Sequence, residues 1–204
     1  MIHPDIRLDW RSDHIGYGLF ATAHIPAGTM VYVQDDLDIM IPQDSPLLQD
    51  PRYHDHIDKY CVIDANGNHI VGWDISKYAN HCCHYNSLAT AYGFEIAIRD
   101  ILPGEEVTDD YVAFNLETDM PLTCHYEDCR RVLHPEDFEG LTPVWDVQVR
   151  QALQFFLKVP QPLLAYLPAS HHRSLLGYLE TGAGYRSVEM LRYRPSGIFP
   201  CPSL

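Results

Sequence analysis

Ten residues near the middle of the chain, Lys77-Tyr78-Ala79-Asn80-His81-Cys82-Cys83-His84-Tyr85-Asn86, are followed one strand-like stretch later by Gly104-Glu105-Glu106-Val107-Thr108-Asp109-Asp110-Tyr111. The stretch between them, Phe94 to Ile101, alternates apolar and polar side chains at the period of a half-buried strand. Leu102-Pro103-Gly104-Glu105 then turns the chain into Val107-Thr108. Ile15 to Ala21 and Thr29 to Val33 read as strands on either side of the Pro26-Ala27-Gly28 turn, and Tyr60 to Ala65 as a strand closed by Asn66-Gly67. This order of short strands and turns, without a repeating helix between them, predicts a mainly β core of α+β type. The residues before Ile15 read as a short polar lead. Residues 34–59, with seven aspartates and three prolines, read as an irregular acidic segment with little helix.

From Gly140 the character changes. Thr142-Pro143 suits a helix start, and Trp145, Val149, Ala152, Leu153 and Phe156 fall on one face before Lys158 and Pro160 end the segment. Shorter helices are expected over Leu163–Leu167, His171–Thr181 ending at Gly182, and Val188–Tyr193, followed by an extended tail from Pro195. The expected organisation is a β domain over 1–139 and a helical appendage over 140–204 whose apolar face packs on it.

With 204 residues and 46% hydrophobic content, the chain is long and apolar enough for a sizeable core. No export signal or membrane-spanning stretch is apparent, so the expected location is cytoplasmic or nuclear. The six cysteines, at 61, 82, 83, 124, 129 and 201, then read as metal ligands or thiols rather than a disulfide framework. Charge is lopsided: residues 1–140 hold 8 Lys and Arg against 25 Asp and Glu, net −17, whereas residues 141–204 are net +3. A field of that sign repels nucleic-acid phosphate and attracts basic partners, although acidic residues also serve solubility.

The run Gly16-Tyr17-Gly18-Leu19-Phe20-Ala21-Thr22-Ala23-His24-Ile25-Pro26-Ala27-Gly28-Thr29, with the Asn80-His81 segment and the Gly104–Tyr111 segment in that order, resembles the SET-domain family of protein-lysine N-methyltransferases. The resemblance covers residues 14 to about 130 and implies a SET-type fold of short β-sheets with a knot-like threaded segment at Asn80, His81 and Cys83. It implies transfer of a methyl group from S-adenosyl-L-methionine to the side-chain amine of a lysine in a histone or another basic protein. Such a transfer is an in-line displacement, so the protein must align the reactants and exclude water. Holding a lysine neutral at pH 7 costs about 4–5 kcal/mol, and an aromatic channel facing a cationic sulfonium lowers that cost by desolvation and like-charge repulsion.

By the same resemblance Gly16, Tyr17 and Gly18 would wrap the cofactor, Asn80 and His81 would contact it, and Asn86 matches a further cofactor-site asparagine. Tyr111 would orient the methyl group and the amine as the catalytic residue. Tyr78, Asp109 and Phe114 would line the substrate channel, and residues 34–59 would form one wall of the substrate groove. Several positions depart from the family pattern: Tyr85 stands where a proline is expected, Asp109 where an aromatic is common, and Gln34 and Asp35 lie where a Tyr-x-Gly-Glu often follows the second strand. The Asp109 carboxylate would stabilise the lysine ammonium unless it points away. Zinc is implied at Cys83, Cys124 and Cys129 in a partial post-SET segment, 124–131, where Leu122 replaces one thiol. Since a closed site needs four ligands, Cys82, His84, His125 or Cys201 would complete it. The alternative reading is a catalytically silent SET-type module that binds a basic peptide. A Cys/His metal hydrolase would need three ligands at a spacing that no helix here supplies.

Overall fold

The computed structural model describes residues 1–123 and 126–195. In chain order the strands are β1 (Ile6–Ser12), β2 (Gly16–Ala21), β3 (Met30–Val33), β4 (Ile39–Ile41), β5 (Cys61–Ile63), β6 (His69–Val71), β7 (Asn80–His81), β8 (Ser87–Ala89), β9 (Phe94–Ala97), β10 (Glu106–Asp109), β11 (Met120–Pro121) and β12 (Val132–Leu133). The helices are α1 (His54–Tyr60), α2 (Asp137–Leu153) and α3 (Ala169–Thr181). Cys124, His125, Cys201 and the tail after Pro195, on which several expectations fall, lie outside the described residues. Among the described residues no helix is long and apolar enough to cross a membrane.

The strands form three small sheets, ordered β1-β2-β10-β7, β3-β9-β8 and β4-β6-β5, plus the pair β11-β12. All pairings are antiparallel except β10 with β7, where Thr108 and Asp109 run parallel to Asn80 and His81. The stretch expected to be a polar lead is instead β1, paired with β2 from Ile6↔Ala21 to Trp10↔Tyr17. Its charged residues sit at alternate positions, so the period-2 signal is present, and Ile6 and Leu8 pack into the core beside Leu19.

Residues 34–59 are also more ordered than expected. They contain β4, a 3-10 turn at Pro46–Gln49, and α1, which buries no side chain. Several acids of this segment serve local backbone: Leu37 N–H donates to Asp35, and the N–H groups of Asp35 and Trp73 donate to Asp38. These bonds fix the entry to β4, which then pairs with β6.

Helix α2 starts at Asp137, five residues before the expected Thr142, and keeps Pro143 inside it. Phe138 explains the earlier start: it is fully buried and meets Trp145 edge-on, with ring centroids 5.2 Å apart. Pro143 is tolerated because it and Glu139, whose carbonyl loses its partner, are exposed. Helix α3 ends where expected, with Gly182 at φ +69°. The turns Leu164–Tyr166 and Val188–Leu191 replace the two shorter helices.

One buried cluster joins Met30, Val33, Leu88, Phe94 and Ile96 of the β3-β9-β8 sheet to Phe138, Trp145, Val149 and Leu153 of α2 and Leu175 of α3. A second holds Ile6, Leu19, Val31, Ile101 and Val107 between the β1-β2-β10-β7 and β3-β9-β8 sheets. Polar clamps complete the first contact. Gln161 accepts from Met30 N–H at 2.9 Å and donates to the Gly28 carbonyl at 2.7 Å. Gly28 has φ +89°, and a Cβ there would come within 2.8 Å of the Ala152 carbonyl oxygen, so only glycine lets this turn rest on the end of α2.

Asp146 of α2 is the second clamp, accepting from Tyr185 Oη at 2.9 Å, Ser187 Oγ at 2.7 Å and Val188 N–H at 2.9 Å. Asp146→Ala strands these donors in a largely buried place, and roughly 2–4 kcal/mol of stability should be lost. Urea denaturation of the variant measures this, and an unchanged midpoint would show the clamp to be dispensable.

Candidate active site

The end of β10 places three consecutive side chains in three directions. Asp109 turns towards β8 and accepts from Ser87 Oγ. Asp110 turns towards α2 and the segment after β11, where it accepts from Arg130 Nη2 at 2.7 Å and Trp145 Nε1 at 3.3 Å. Tyr111 opens a 3-10 turn, Tyr111–Phe114, and its hydroxyl donates to the Ala79 carbonyl at 2.6 Å. The parallel neighbour β7 locks this arrangement, because Cys82 N–H donates to the Asp109 carbonyl and Tyr111 N–H to His81 Nδ1. Burial pushes the Tyr111 phenol well above its usual range, so the hydroxyl stays protonated and acts as a donor.

Burial likewise lowers His81 to about 4, against the opposing pull of Asp110. The ring is therefore neutral near pH 7. Since Nδ1 accepts the Tyr111 amide, the proton sits on Nε2, which faces Cys83 Sγ at 3.6 Å.

A cleft of about 960 Å³ runs along this junction. It is lined by seven of the sequence-predicted residues: Gly16, Tyr17, Tyr78, Asn80, Asp109, Tyr111 and Phe114. Gly18, His81 and Asn86 lie behind the wall. Asn86 is fully buried, donating to the Glu106 carbonyl at 2.8 Å and accepting from Thr108 N–H at 3.0 Å, so its amide ties the chain to β10. Asn80 donates to the Tyr17 carbonyl at 3.0 Å and to Glu106 Oε1 at 2.8 Å, while Arg11 holds the other Glu106 oxygen at 2.9 Å.

The sequence reading missed several lining groups. Trp10 meets Tyr17 edge-on at 5.2 Å, Tyr17 meets Tyr78 at 5.7 Å, and Tyr78 meets Tyr60 at 5.5 Å, which makes a continuous aromatic wall. Trp10 was findable, since it lies at an apolar position of the β1 alternation directly across from Tyr17. Glu95 also lines the cleft, from the polar positions of β9 that pattern alone assigns to solvent.

Of the thiols expected as metal ligands, Cys83 Sγ and Cys129 Sγ are 3.8 Å apart. His84 turns away to Asp128 at 2.9 Å and stacks on Tyr126. Among the described residues no group of three His, Cys, Asp or Glu side chains is arranged to hold a metal ion. Cys124, the expected third ligand, lies outside them.

Gly18 has a steric reason. A Cβ there would lie 2.5 Å from Glu106 Oε1 and 2.9 Å from Asn80 Nδ2. Gly18→Ala should therefore destabilise the fold by roughly 1–3 kcal/mol, and Asn80→Ala should relieve part of that clash, giving a coupling of roughly 0.5–3 kcal/mol in a double-mutant cycle. Strict additivity in urea denaturation would show that the two side chains do not share this space.

Residues 16–112 match the family model described as SET domain. The chain is 29% identical over 138 residues to histone-lysine N-methyltransferase trithorax of Drosophila melanogaster, and 30% identical over 146 residues to histone-lysine N-methyltransferase 2B of Homo sapiens. It is 28% identical over 141 residues to histone-lysine N-methyltransferase TRX1 of Oryza sativa subsp. japonica. Each match covers 61% of this chain but only 4%, 5% and 13% of the respective relative, so the chain spans a small part of the proteins it resembles. The matched stretch contains the paired strands β2, β7 and β10 and the cleft residues they position, and residues 16–112 of the chain belong to the SET-domain family.

Proposed function

We propose that this chain transfers a methyl group from S-adenosyl-L-methionine to the side-chain amine of a lysine in a basic protein, a histone among the candidates. The observation that supports this best is the Tyr111 hydroxyl, held against the Ala79 carbonyl in a cleft that also contains Gly16, Tyr17 and Asn80. A phenol oxygen and a carbonyl oxygen fixed side by side can accept from an amine's N–H groups and so orient it without acting as a base, which suits an in-line displacement.

The cleft suits the cofactor in size, falling within the range of small-molecule sites. Its aromatic wall offers π faces to a purine and to a sulfonium cation. Space is open above Gly16, where an added Cβ would meet nothing within 4 Å. S-adenosyl-L-methionine would supply the electrophilic methyl group. Gly16, Tyr17 and Asn80 would hold it directly, while Gly18, His81 and Asn86 would fix the strands from behind. Tyr78, Phe114 and Asp109 would border the lysine channel, with Tyr111 as the catalytic residue. In this reading the parallel β7–β10 crossing is the threaded segment, residues 1–139 form the catalytic unit and 140–204 its helical support, and zinc would bind through Cys83, Cys124 and Cys129. The relatives' names suggest work in the nucleus.

Tyr111→Phe should leave binding of S-adenosyl-homocysteine within about threefold by calorimetry, yet lower turnover by about 10²–10³-fold, because the hydroxyl acts chiefly at the transition state. Full turnover in the folded variant would remove Tyr111 from the chemistry.

Substrate choice has its own test. With net −17 over residues 1–140, a peptide whose lysine is flanked by basic residues should be methylated faster than a neutral-flanked one, with the advantage shrinking as salt rises. Rim ion pairs are each worth at most about 1 kcal/mol, so the signature lies in the on-rate. Equal rates, flat with ionic strength, would leave recognition to shape alone.

A further inference from the structure

Two acidic side chains in the cleft form a unit that the proposed chemistry has not used. Glu95 of β9 is half-buried and lines the cleft, and Asp109 of β10 lies fully buried beneath it. Ser87 Oγ of β8 donates to Asp109 Oδ1, and Ser87, across from Ala97, shares with Glu95 one face of the β8-β9 pair, which brings the two carboxyls together. Tyr32 of β3 stands directly across from Glu95, and its hydroxyl donates to Asp38 at the cleft's acidic edge. The other charged or titratable groups facing the pair are Asp110 and Tyr111 on the β10 side and the amino group of Met1, which pairs with Asp35. Among the described residues neither carboxyl has a Lys, Arg or His ion-pair partner.

Burial and their mutual repulsion raise both carboxyls above the usual range. Two such groups share one proton near neutral pH. The unit is a singly charged carboxyl pair with Glu95 towards the cleft.

We propose that Glu95 and Asp109 together are the proton acceptor for the substrate amine. In this step an N–H bond of the lysine ammonium breaks, and its proton goes to the free oxygen of the Glu95 carboxyl. The proton that the pair already shared settles on Asp109, and the electron pair stays on nitrogen. The amine passes from +1 to neutral and the carboxyl pair from −1 to neutral, so charge and protons balance. The extra proton later returns to water through the cleft mouth. Tyr111 cannot take this role, because its hydroxyl is committed to the Ala79 carbonyl and burial keeps its proton on. The inference rests on the lysine-methylation reading above. It also departs from the expectation that Asp109 merely opposes deprotonation, since the structure turns Asp109 behind Glu95 rather than leaving it alone in the channel.

Glu95→Gln tests it, because an amide keeps the shape and the hydrogen bond to Asp109 but cannot relay a proton. Single-turnover methyl transfer to a saturating lysine peptide is followed from about pH 6 to about pH 10. The wild type should level off well below the ordinary lysine range. Glu95→Gln should be slower by about 10²-fold near pH 7, rise about tenfold per pH unit, and converge with the wild type near pH 10, where lysine loses its proton unaided. Asp109→Asn should behave alike.

A second measurement needs no cofactor or substrate. A carboxyl raised in the fold contributes stability at low pH that is lost as pH rises through its folded value. The wild-type urea midpoint should therefore fall between about pH 5 and about pH 8 relative to that of Glu95→Gln. Superimposable pH–rate profiles, or a loss in Glu95→Gln that is uniform at every pH, would overturn the relay alone. An unchanged midpoint difference across that range would also overturn it, since no proton would then be shared. Absence of methyl transfer by the wild type to any basic protein would overturn the methyltransferase reading and the relay with it.

Discussion

The buried carboxylate of Asp110 is the interaction on which the rest of the site depends. It is 1% exposed and accepts from Arg130 Nη2, Trp145 Nε1 and the Val112 amide. Those three donors come from the segment before β12, from α2 and from the turn that carries Tyr111. A buried ion pair is costly to desolvate, and on the Asp110 side the indole and amide donors offset part of that cost. Loss of one partner from such a pair typically costs roughly 3–5 kcal/mol. Because Asp110 sits between Asp109 and Tyr111 in the chain, the bonds that hold it also set where its two neighbours point.

This arrangement explains why residues beyond the SET-domain match matter to the cleft. Trp145 belongs to α2, packs against Phe138 and the β3-β9-β8 sheet, and still reaches Asp110. The same sheet offers Glu95 and Tyr32 to the cleft from its other face. One sheet thus has an apolar side that anchors the helices and a mixed side, where Val31 and Ala97 pack into the second cluster while Tyr32 and Glu95 reach the cleft. The alternation of Phe94, Glu95 and Ile96 is the sequence form of that division.

Most of the strands and turns were legible because period-2 patterning and Pro-Gly or Asn-Gly turns are local signals, and β2, β3, β5, β9 and β10 fall where those signals stand. The errors have specific causes. β1 was hidden by reading charge content instead of spacing, although its charged residues occupy one face of an edge strand. Residues 34–59 looked irregular because their aspartates were counted as solvent-facing, whereas Asp35 and Asp38 cap backbone amides around β4. The start of α2 was drawn to Thr142-Pro143 because the packing of Phe138 under Trp145 is a tertiary fact. At the site, the motifs located Asn80, Tyr111 and the glycines, but their division into cleft-lining and supporting residues required coordinates. Gly18 and Asn86 serve the backbone behind the wall, and Glu95 fronts the cleft from a position that pattern gives to water.

The acidity of residues 1–140 divides in a similar way. Asp64 accepts from the amides of Asn66 and Asn68, Asp74 from those of Ile2 and Ser76, and Asp100 from that of Ala27. These carboxylates are spent on turns, and their charge reaches the solvent as a diffuse field rather than as a recognition patch. The charge inside the cleft is different in kind. The Glu95–Asp109 unit lies where the dielectric is low and where no described Lys, Arg or His side chain pairs with it, so a single negative charge there outweighs several on the rim. In the proposed reaction a lysine amine drawn in by the outer field would meet, at the floor of the cleft, a group able to discharge it beside a phenol whose own proton is committed to the Ala79 carbonyl. The outer acids would then govern how often an amine arrives, and the buried pair whether it arrives as a nucleophile.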